Sequence, residues 1–376
     1  MRTEPPVPAD ALAAIRTALS AGAASVDAPI LQPLGLLLDL AGEAMRARLF
    51  TVQAEGGAEL CLRPDFTVAV ATRHIESRAE AGRYFYEGPA FRAAPGEDRP
   101  EEFMQMGVEL FAPTGSPVET SDAEIAALAW QAAEAGGRKD LSLWLGDVAL
   151  FGAFIESLSL PKAVAARLSR VAGRPRLLAT ELARAGQAVE APAQQSQLAS
   201  LLSGRSEAET AALLEEVWAL AGIAPVGGRK PAEIAARLVR RAEAACAPAL
   251  GEAEAKAIAA FMAIAEPPAA GLPKVKALAG RKAPALDAAL DGWLQRLETL
   301  ADVVPMEAVR FAPALGHAFD YYDGMTFEVR SDALGGGRPV AVGGRYDGLL
   351  TRLGGGSGRA VGCMVRPWRA FAGGEA

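Results

Sequence analysis

Apolar positions recur along this chain with two different periods, and the switch between them divides it into elements. Leu12, Ile15 and Leu19 return at helical spacing, Asp10 stands where a cap is wanted, and Gly22 lies where the helix should end. Val26 to Pro33 then reads as extended. Leu49 to Gln53 and Glu59 to Leu62 flank Glu55-Gly56-Gly57, the signature of a hairpin with a short glycine turn.

A longer hairpin follows. Arg83 to Arg92 and Glu102 to Phe111 are strand-like runs joined by a charged loop rich in turn formers. In the second run, period two puts Phe103, Gln105, Gly107, Glu109 and Phe111 on one face and Met104, Met106, Val108 and Leu110 on the other. The second face is wholly apolar. The first fits either a solvated edge strand or the floor of a polar pocket that a small ligand enters at Gly107.

Ser121 and Glu124 have capping-box spacing and predict a helix that stops at Gly136-Gly137, and Leu141 to Leu145 predicts another strand. From Pro161 to Ala301 alanine, leucine, arginine and glutamate dominate, broken at Gly173, Gly186, Pro192, Gly222, Pro225, Pro231 and Pro273. Strand patterns resume at Val309 to Ala312, Met325 to Val329 and Ala341 to Val342, with Asp323-Gly324 a hairpin turn signal between the first two. The expectation is an α+β domain made from residues 1–160 and 302–376, interrupted by an all-helical insertion over 161–301. Gly354-Gly355-Gly356-Ser357-Gly358 lacks the ending of a phosphate loop and reads as a flexible connection.

Composition narrows the function classes. The 38 basic and 45 acidic residues leave a formal charge of -7, which rules out a globally basic, nucleic-acid-coating surface. Cys61, Cys246 and Cys363 are odd in number and far apart, so a reducing, cytoplasmic setting is expected rather than a disulfide framework. With only His74 and His317, chemistry built on a histidine cluster is excluded, and neither metal nor cofactor is expected. No apolar run is long enough to span a membrane, and residues 1–12 do not read as a secretory signal. His74 reads as structural; for His317, core packing and ligand contact both stay open. Tyr321 and Tyr322 taken alone would be sheet aromatics and Arg345 a turn arginine.

Leu62-Arg63-Pro64-Asp65-Phe66-Thr67, Tyr86-Glu87-Gly88-Pro89-Ala90-Phe91-Arg92 and Phe103-Met104-Gln105-Met106-Gly107-Val108-Glu109, in this order, resemble the motif 2 region of histidyl-tRNA synthetases. Phe319-Asp320-Tyr321-Tyr322 and Gly343-Gly344-Arg345-Tyr346-Asp347-Gly348 are similar to that family's two histidine-recognition signatures. The resemblance implies a class II synthetase-like antiparallel sheet flanked by helices, and a homodimer formed through the region around Pro29. It places Asp65, Thr67, Gln105, Glu109, Tyr321 and Tyr322 where the family holds the amino group and imidazole of histidine, and the chemistry is apt. An ammonium wants carboxylates, and an imidazole wants an acceptor and a donor at fixed separation. Such a pocket rejects isosteres because wrong ligands leave buried polar groups unpaired.

Departures from the synthetase pattern point to lost catalysis. His317 stands where the family has a carboxylate-activating arginine, and a mostly neutral imidazole does not replace a guanidinium. Arg92 and Arg369 survive as a possible vestigial nucleotide site. Ala93-Ala94 replaces an acidic nucleotide contact, and Arg366-Pro367-Trp368-Arg369 stands for Gly-Leu-Glu-Arg, adding bulk. An anticodon-binding domain is expected to be lacking, since the third motif lies near the last residue.

This combination resembles the regulatory subunits of ATP phosphoribosyltransferase. Pro29-Ile30-Leu31-Gln32-Pro33, Ala41-Gly42-Glu43 and the Phe66 that precedes Thr67 look like that family, and Phe66 is expected to narrow the pocket. The implied role is non-catalytic: partnering a short catalytic subunit, permitting its activity, and transmitting inhibition by L-histidine, without binding tRNA. Histidine could sit in the ancestral pocket or at a subunit interface. The rival from another class is an active histidine-adenylating, synthetase-like enzyme.

Overall fold

The computed structural model describes residues 2–97, 99–171, 175–186, 205–221, 232, 234–236, 238–239, 249–280, 283–316 and 321–374. Two compact units emerge: Met1–Ala153 with Phe261–Leu278 and Ala283–Ala376, and Phe154–Ala260 with Ala279–Lys282. The larger is an α+β unit carrying two sheets. Its strands are β1 (Ala24–Ser25), β2 (Leu31–Pro33), β3 (Thr51–Gln53), β4 (Glu59–Leu62), β5 (Gly82–Phe91), β6 (Glu102–Ala112), β7 (Leu141–Asp147), β8 (Val309–Phe311), β9 (Met325–Ser331), β10 (Ala341–Arg345) and β11 (Arg359–Val365).

Eight of them form the main sheet in the order β1-β5-β6-β11-β10-β9-β7-β8, antiparallel except for the parallel edge pairs β1/β5 and β7/β8. The other three make the small sheet β2-β4-β3, in which β3 and β4 are the first hairpin read from the sequence. The second hairpin, β5 with β6, also pairs antiparallel, aligning Tyr86 with Gly107 and Tyr84 with Glu109. β6 is not an edge strand: β11 covers its other side, aligning Gly362 with Glu109.

Helices α1 (Ala9–Ser20) and α2 (Leu34–Ala41) precede the first hairpin, α3 (Thr67–Ser77) joins β4 to β5, and α4 (Val118–Ala135) follows the second hairpin. α4 packs on β9, β10 and β11, and its alanines 123, 126, 129, 132 and 133 are fully buried. Small side chains let the helix axis approach the sheet closely. This helix starts earlier than the Ser121-Glu124 spacing predicts. Pro117 sets the boundary, and the Ser121 hydroxyl donates back to the Val118 carbonyl at 2.9 Å instead of capping. A buried ion triad ties the layers: Asp122 of α4 accepts from Arg345 of β10 at 2.7 Å and from Arg296 at 2.9 Å. Arg345 is therefore structural rather than a loose turn residue.

Within the smaller unit, helices α6 (Lys162–Val171) and α7 (Pro175–Ala183), which follow the straddling helix α5 (Val148–Ser157), pack together with an Arg167–Glu181 pair at 2.9 Å. Helix α8 (Glu207–Ala221) and most of α9 (Glu252–Met262) also belong to it. The sequence boundaries of 161–301 differ from this partition at the C-terminal side. α10 (Pro268–Leu278) and α11 (Pro284–Ala301) belong mostly or wholly to the sheet unit, because α11 buries Leu290, Trp293 and Arg296 and packs on α4. The expected break at Pro273 is absent, since α10 runs through it while burying Gly271, Leu272 and Val275. The breaks expected at Gly173, Pro192, Gly222, Pro225 and Pro231 lie outside the described residues.

Two short-range inferences are corrected. Asp323-Gly324 does not turn a hairpin: β8 pairs only with β7, whereas β9 lies between β7 and β10. The Asp323 carboxylate instead accepts from the backbone amides of Asp347 and Gly348 at 3.1 and 2.6 Å, fixing helix α12 (Asp347–Arg352). The glycine run before residue 359 leads into β11, a central strand, before the short helix α13 (Pro367–Ala370). No helix among the described residues is long and apolar enough to cross a membrane.

Candidate functional site

Glycines on the central strands leave room for larger side chains above the sheet. A Cβ at Gly362 would stand 1.5 Å from the Glu109 carboxylate, and one at Gly107 would stand 2.3 Å from the Tyr86 hydroxyl. Neither position tolerates a side chain without displacing these groups. The Gly107 space is thus filled by Tyr86 of the facing strand, so a ligand does not enter there as the sequence suggested. Above this floor lies a cavity of about 210 Å³. That is below the ~300–1,000 Å³ typical of drug-sized ligands and suits a small solute.

One half of the cavity is acidic and phenolic. Asp65 immediately precedes α3, and Tyr321 donates to its Oδ2 at 3.5 Å, while its Oδ1 has no hydrogen-bond partner. Thr67 at the start of α3 donates to Glu109 Oε1 at 2.7 Å, and Tyr346 donates to Glu109 Oε2. Tyr321, Tyr322 and Tyr346 form a cluster with ring centroids 4.8 to 6.3 Å apart. Burial raises the Asp65 carboxyl above its ordinary range, against the pull of Arg92 and the Tyr321 hydroxyl. Burial pushes Glu109 up to about 8 despite the hydrogen bonds from Tyr346 and Thr67. Before a cation arrives, Glu109 is therefore largely protonated at neutral pH.

The other half is basic: Arg48, Arg92, Arg99, Arg366 and Arg369 line it. Arg92 donates to the Pro64 carbonyl at 2.8 Å, and Arg369 to the Pro339 carbonyl at 3.0 Å. Burial lowers Arg92, opposed by Asp65. Arg366 is brought down to about 9 by burial and by the neighbouring Arg369 charge. Burial likewise brings Arg369 to about 10.

Of the residues expected at the site, Asp65, Thr67, Glu109, Tyr321, Tyr322, Arg92 and Arg369 converge on this one cavity. Gln105 does not line it. It is fully buried on the same strand, its amide directed at the Met364 sulfur 3.6 Å away, and Met364 stands at the wall. Phe66 does not narrow the cavity either. It is held between Arg63, whose guanidinium is 3.9 Å from its centroid, and the stacked ring of Tyr86 at 4.4 Å. Arg366 does add bulk at the wall, whereas Trp368 packs near Phe371 and stays off it. His317 lies outside the described residues. Residues that sequence reasoning missed include Tyr86, Tyr346, Arg48 and Arg99. A large residue opposite a glycine was the available signal for Tyr86, and Tyr346 stood inside a segment already singled out.

Chemically, the cavity offers carboxylates and phenols at one end and guanidinium groups at the other. That polarity matches a zwitterion whose cationic and anionic ends lie a few bonds apart. The buried Cys363 thiol is pushed up to about 12 by burial, which removes it as a nucleophile. Among the described residues, no group of His, Cys, Asp and Glu side chains is arranged to hold a metal ion.

A family model described as histidyl-tRNA synthetase matches residues 11–224 and 217–367. The chain is 35% identical over 334 residues to the ATP phosphoribosyltransferase regulatory subunit of Chelativorans sp. (strain BNC1), covering 87% of each. It is 34% identical over 332 residues to the protein of the same name from Mesorhizobium japonicum, covering 88% of this chain and 87% of that one. Among solved structures it is similar to an ATP phosphoribosyltransferase regulatory subunit/histidyl-tRNA synthetase from Bacillus halodurans, with TM-score 0.65 and 20% identity over 96% of this chain and 77% of that one. The histidyl-tRNA synthetase from Nostoc sp. PCC 7120 gives TM-score 0.59 at 16% identity, covering 96% and 70%. The structural likenesses carry the fold: a class II, histidyl-tRNA synthetase-like architecture.

Proposed function

The chain belongs to the family of ATP phosphoribosyltransferase regulatory subunits, within the histidyl-tRNA synthetase-like proteins, and from that premise we propose that it senses L-histidine for a catalytic partner. The partner is a short-form catalytic ATP phosphoribosyltransferase subunit. It performs the first step of histidine biosynthesis, moving phosphoribosyl from phosphoribosyl pyrophosphate to N1 of ATP. This chain is required for the partner's activity and transmits feedback inhibition, without itself adenylating or aminoacylating.

One observation carries the reading: Asp65, Thr67, Glu109, Tyr321 and Tyr322 share a single cavity with Arg92. In the proposed complex Asp65 and its hydroxyl neighbours receive the ammonium, Arg92 the carboxylate, and Glu109 with the tyrosines the imidazole. Feedback requires histidine affinity to differ between the active and inhibited states, typically by about 1–3 kcal/mol. We further infer a homodimer through the small sheet, where Ile30, Leu31 and Val52 are exposed at 46%, 45% and 39%. Free, buried Cys61 and Cys363 support a reducing, cytoplasmic setting, and the net charge of -7 supports a role without tRNA.

The test is titration calorimetry with histidine on the wild type and on Asp65→Ala, alongside co-purification with the catalytic subunit. Histidine binding lost in the variant, with co-purification retained, is the expected result. Unchanged affinity contradicts the site assignment. Arg92 and Arg369 beside the acidic half favour the adenylating alternative, which predicts histidine-dependent ATP/pyrophosphate exchange by this chain alone. The family-based reading predicts none.

A further inference from the structure

The basic half of the cavity carries its own carboxylate, supplied from the far end of the sequence. Residues 2–4 run beside the start of β6, with a parallel bridge from Thr3 to Glu102 and a hydrogen bond from the Glu4 amide to the Glu102 carbonyl at 3.0 Å. The amides of Glu101 and Glu102 both donate to the Arg2 carbonyl, at 2.8 and 3.1 Å, and the Arg2 guanidinium donates to the Ala94 carbonyl at 3.0 Å. This short strand is therefore pinned on both its backbone and its side-chain faces. It carries the Glu4 carboxylate to Arg366, which donates to Oε1 at 2.5 Å. Both side chains are nearly sealed from solvent, at 5% and 6% exposure.

Arg366 is in turn held flat, its guanidinium 3.6 Å from the centroid of Phe103. Its Nε and the second oxygen of Glu4 have no hydrogen-bond partner, so the pair is buried without being fully satisfied. A buried cation and anion in contact each lose hydration that neither regains elsewhere, and removal of one leaves the other uncompensated. Arg369 lies close enough to Arg366 to oppose its charge, and Glu4 offsets both. Of the five arginines lining the cavity, two thus depend on Glu4 for charge compensation. Without it, the basic half would present an excess of guanidinium charge suited to a polyanion.

We propose that Glu4 is a tethered counter-anion that sets the ligand selectivity of the cavity. By occupying the charge of Arg366 and damping that of Arg369, it leaves the arginine half able to receive one carboxylate but not a chain of phosphates. The inference rests on the reading of the cavity as an amino-acid site, and it makes the N-terminal strand a specificity element.

The experiment is calorimetric titration of the full chain with inorganic tripolyphosphate and, separately, with histidine, in wild type and Glu4→Gln. Tripolyphosphate should bind Glu4→Gln at least tenfold more tightly than wild type, with histidine affinity changed less than threefold. The gain should shrink at high salt and vanish when Arg369→Gln is added. Equal tripolyphosphate affinity in the two proteins overturns the proposal, as does a gain that survives Arg369→Gln. If Glu4→Gln does not fold, Glu4→Asp, which keeps the charge but withdraws it by one methylene, should show a smaller gain, and no gain overturns the proposal. Histidine binding to neither protein, with the tripolyphosphate difference intact, overturns the amino-acid reading of the pocket while supporting the role of Glu4.

Discussion

Glu109 converts the pocket's burial into a measurable dependence on pH. Its carboxyl stands at about 8 in the folded chain against an ordinary 4.5. Between these values the folded state holds a proton that the unfolded state has lost. Stability from this group is present below the ordinary value and is lost as pH rises through about 8. The slope is about -1.4 kcal/mol per pH unit, or about 3 kcal/mol between pH 5 and 7. Glu109→Gln keeps the shape and removes the proton, so its stability curve should lack this contribution. Urea unfolding of both proteins without ligand, at pH 5, 6 and 7, reads the difference directly. Wild type should lose stability relative to the variant by about 1 kcal/mol or more per unit. Curves that run parallel refute the buried, protonated carboxyl and with it the proton release expected when a cation binds.

Three further outcomes follow from the packing. Gly107→Ala drives a Cβ to 2.3 Å from both the Cys363 carbonyl and the Tyr86 hydroxyl, and overpacking of this kind costs about 1–3 kcal/mol, so Tm should fall; an unchanged Tm contradicts the close approach. Asp122→Ala leaves Arg296 and Arg345 buried without their shared anion and should cost about 3–5 kcal/mol in urea unfolding, whereas a loss within error contradicts the triad. Leu31→Glu on the small sheet should shift the chain from dimer to monomer in sedimentation, and an unshifted dimer removes that face from the interface.

The legible parts of this fold were those whose partners are near in sequence. β3 with β4 and β5 with β6 announce themselves through alternation and a turn, and both pair as read. Asp323-Gly324 misleads because a turn signal is local while strand pairing is not: β9 takes partners some 180 residues upstream in β7 and a short distance downstream in β10. β11 was hidden behind the glycine run and by its continuous apolar stretch, which lacks alternation because both faces are covered. The site shows the same division. Asp65, Thr67 and Glu109 stand in segments that carry the family pattern, and they converge. The space under Glu109 depends on Gly362 from β11, and the charge on Arg366 depends on Glu4, neither of which any local pattern could pair with its partner.

The claim that this chain senses histidine for a catalytic partner meets its most direct test in one inhibition curve. The short catalytic subunit is reconstituted with wild type or with Asp65→Asn, and phosphoribosyl transfer is followed against histidine. A hydrogen bond to a charged group is worth about 1.5–3 kcal/mol, so the variant's curve should move to at least tenfold higher histidine with uninhibited activity preserved. Superimposed curves would contradict the account.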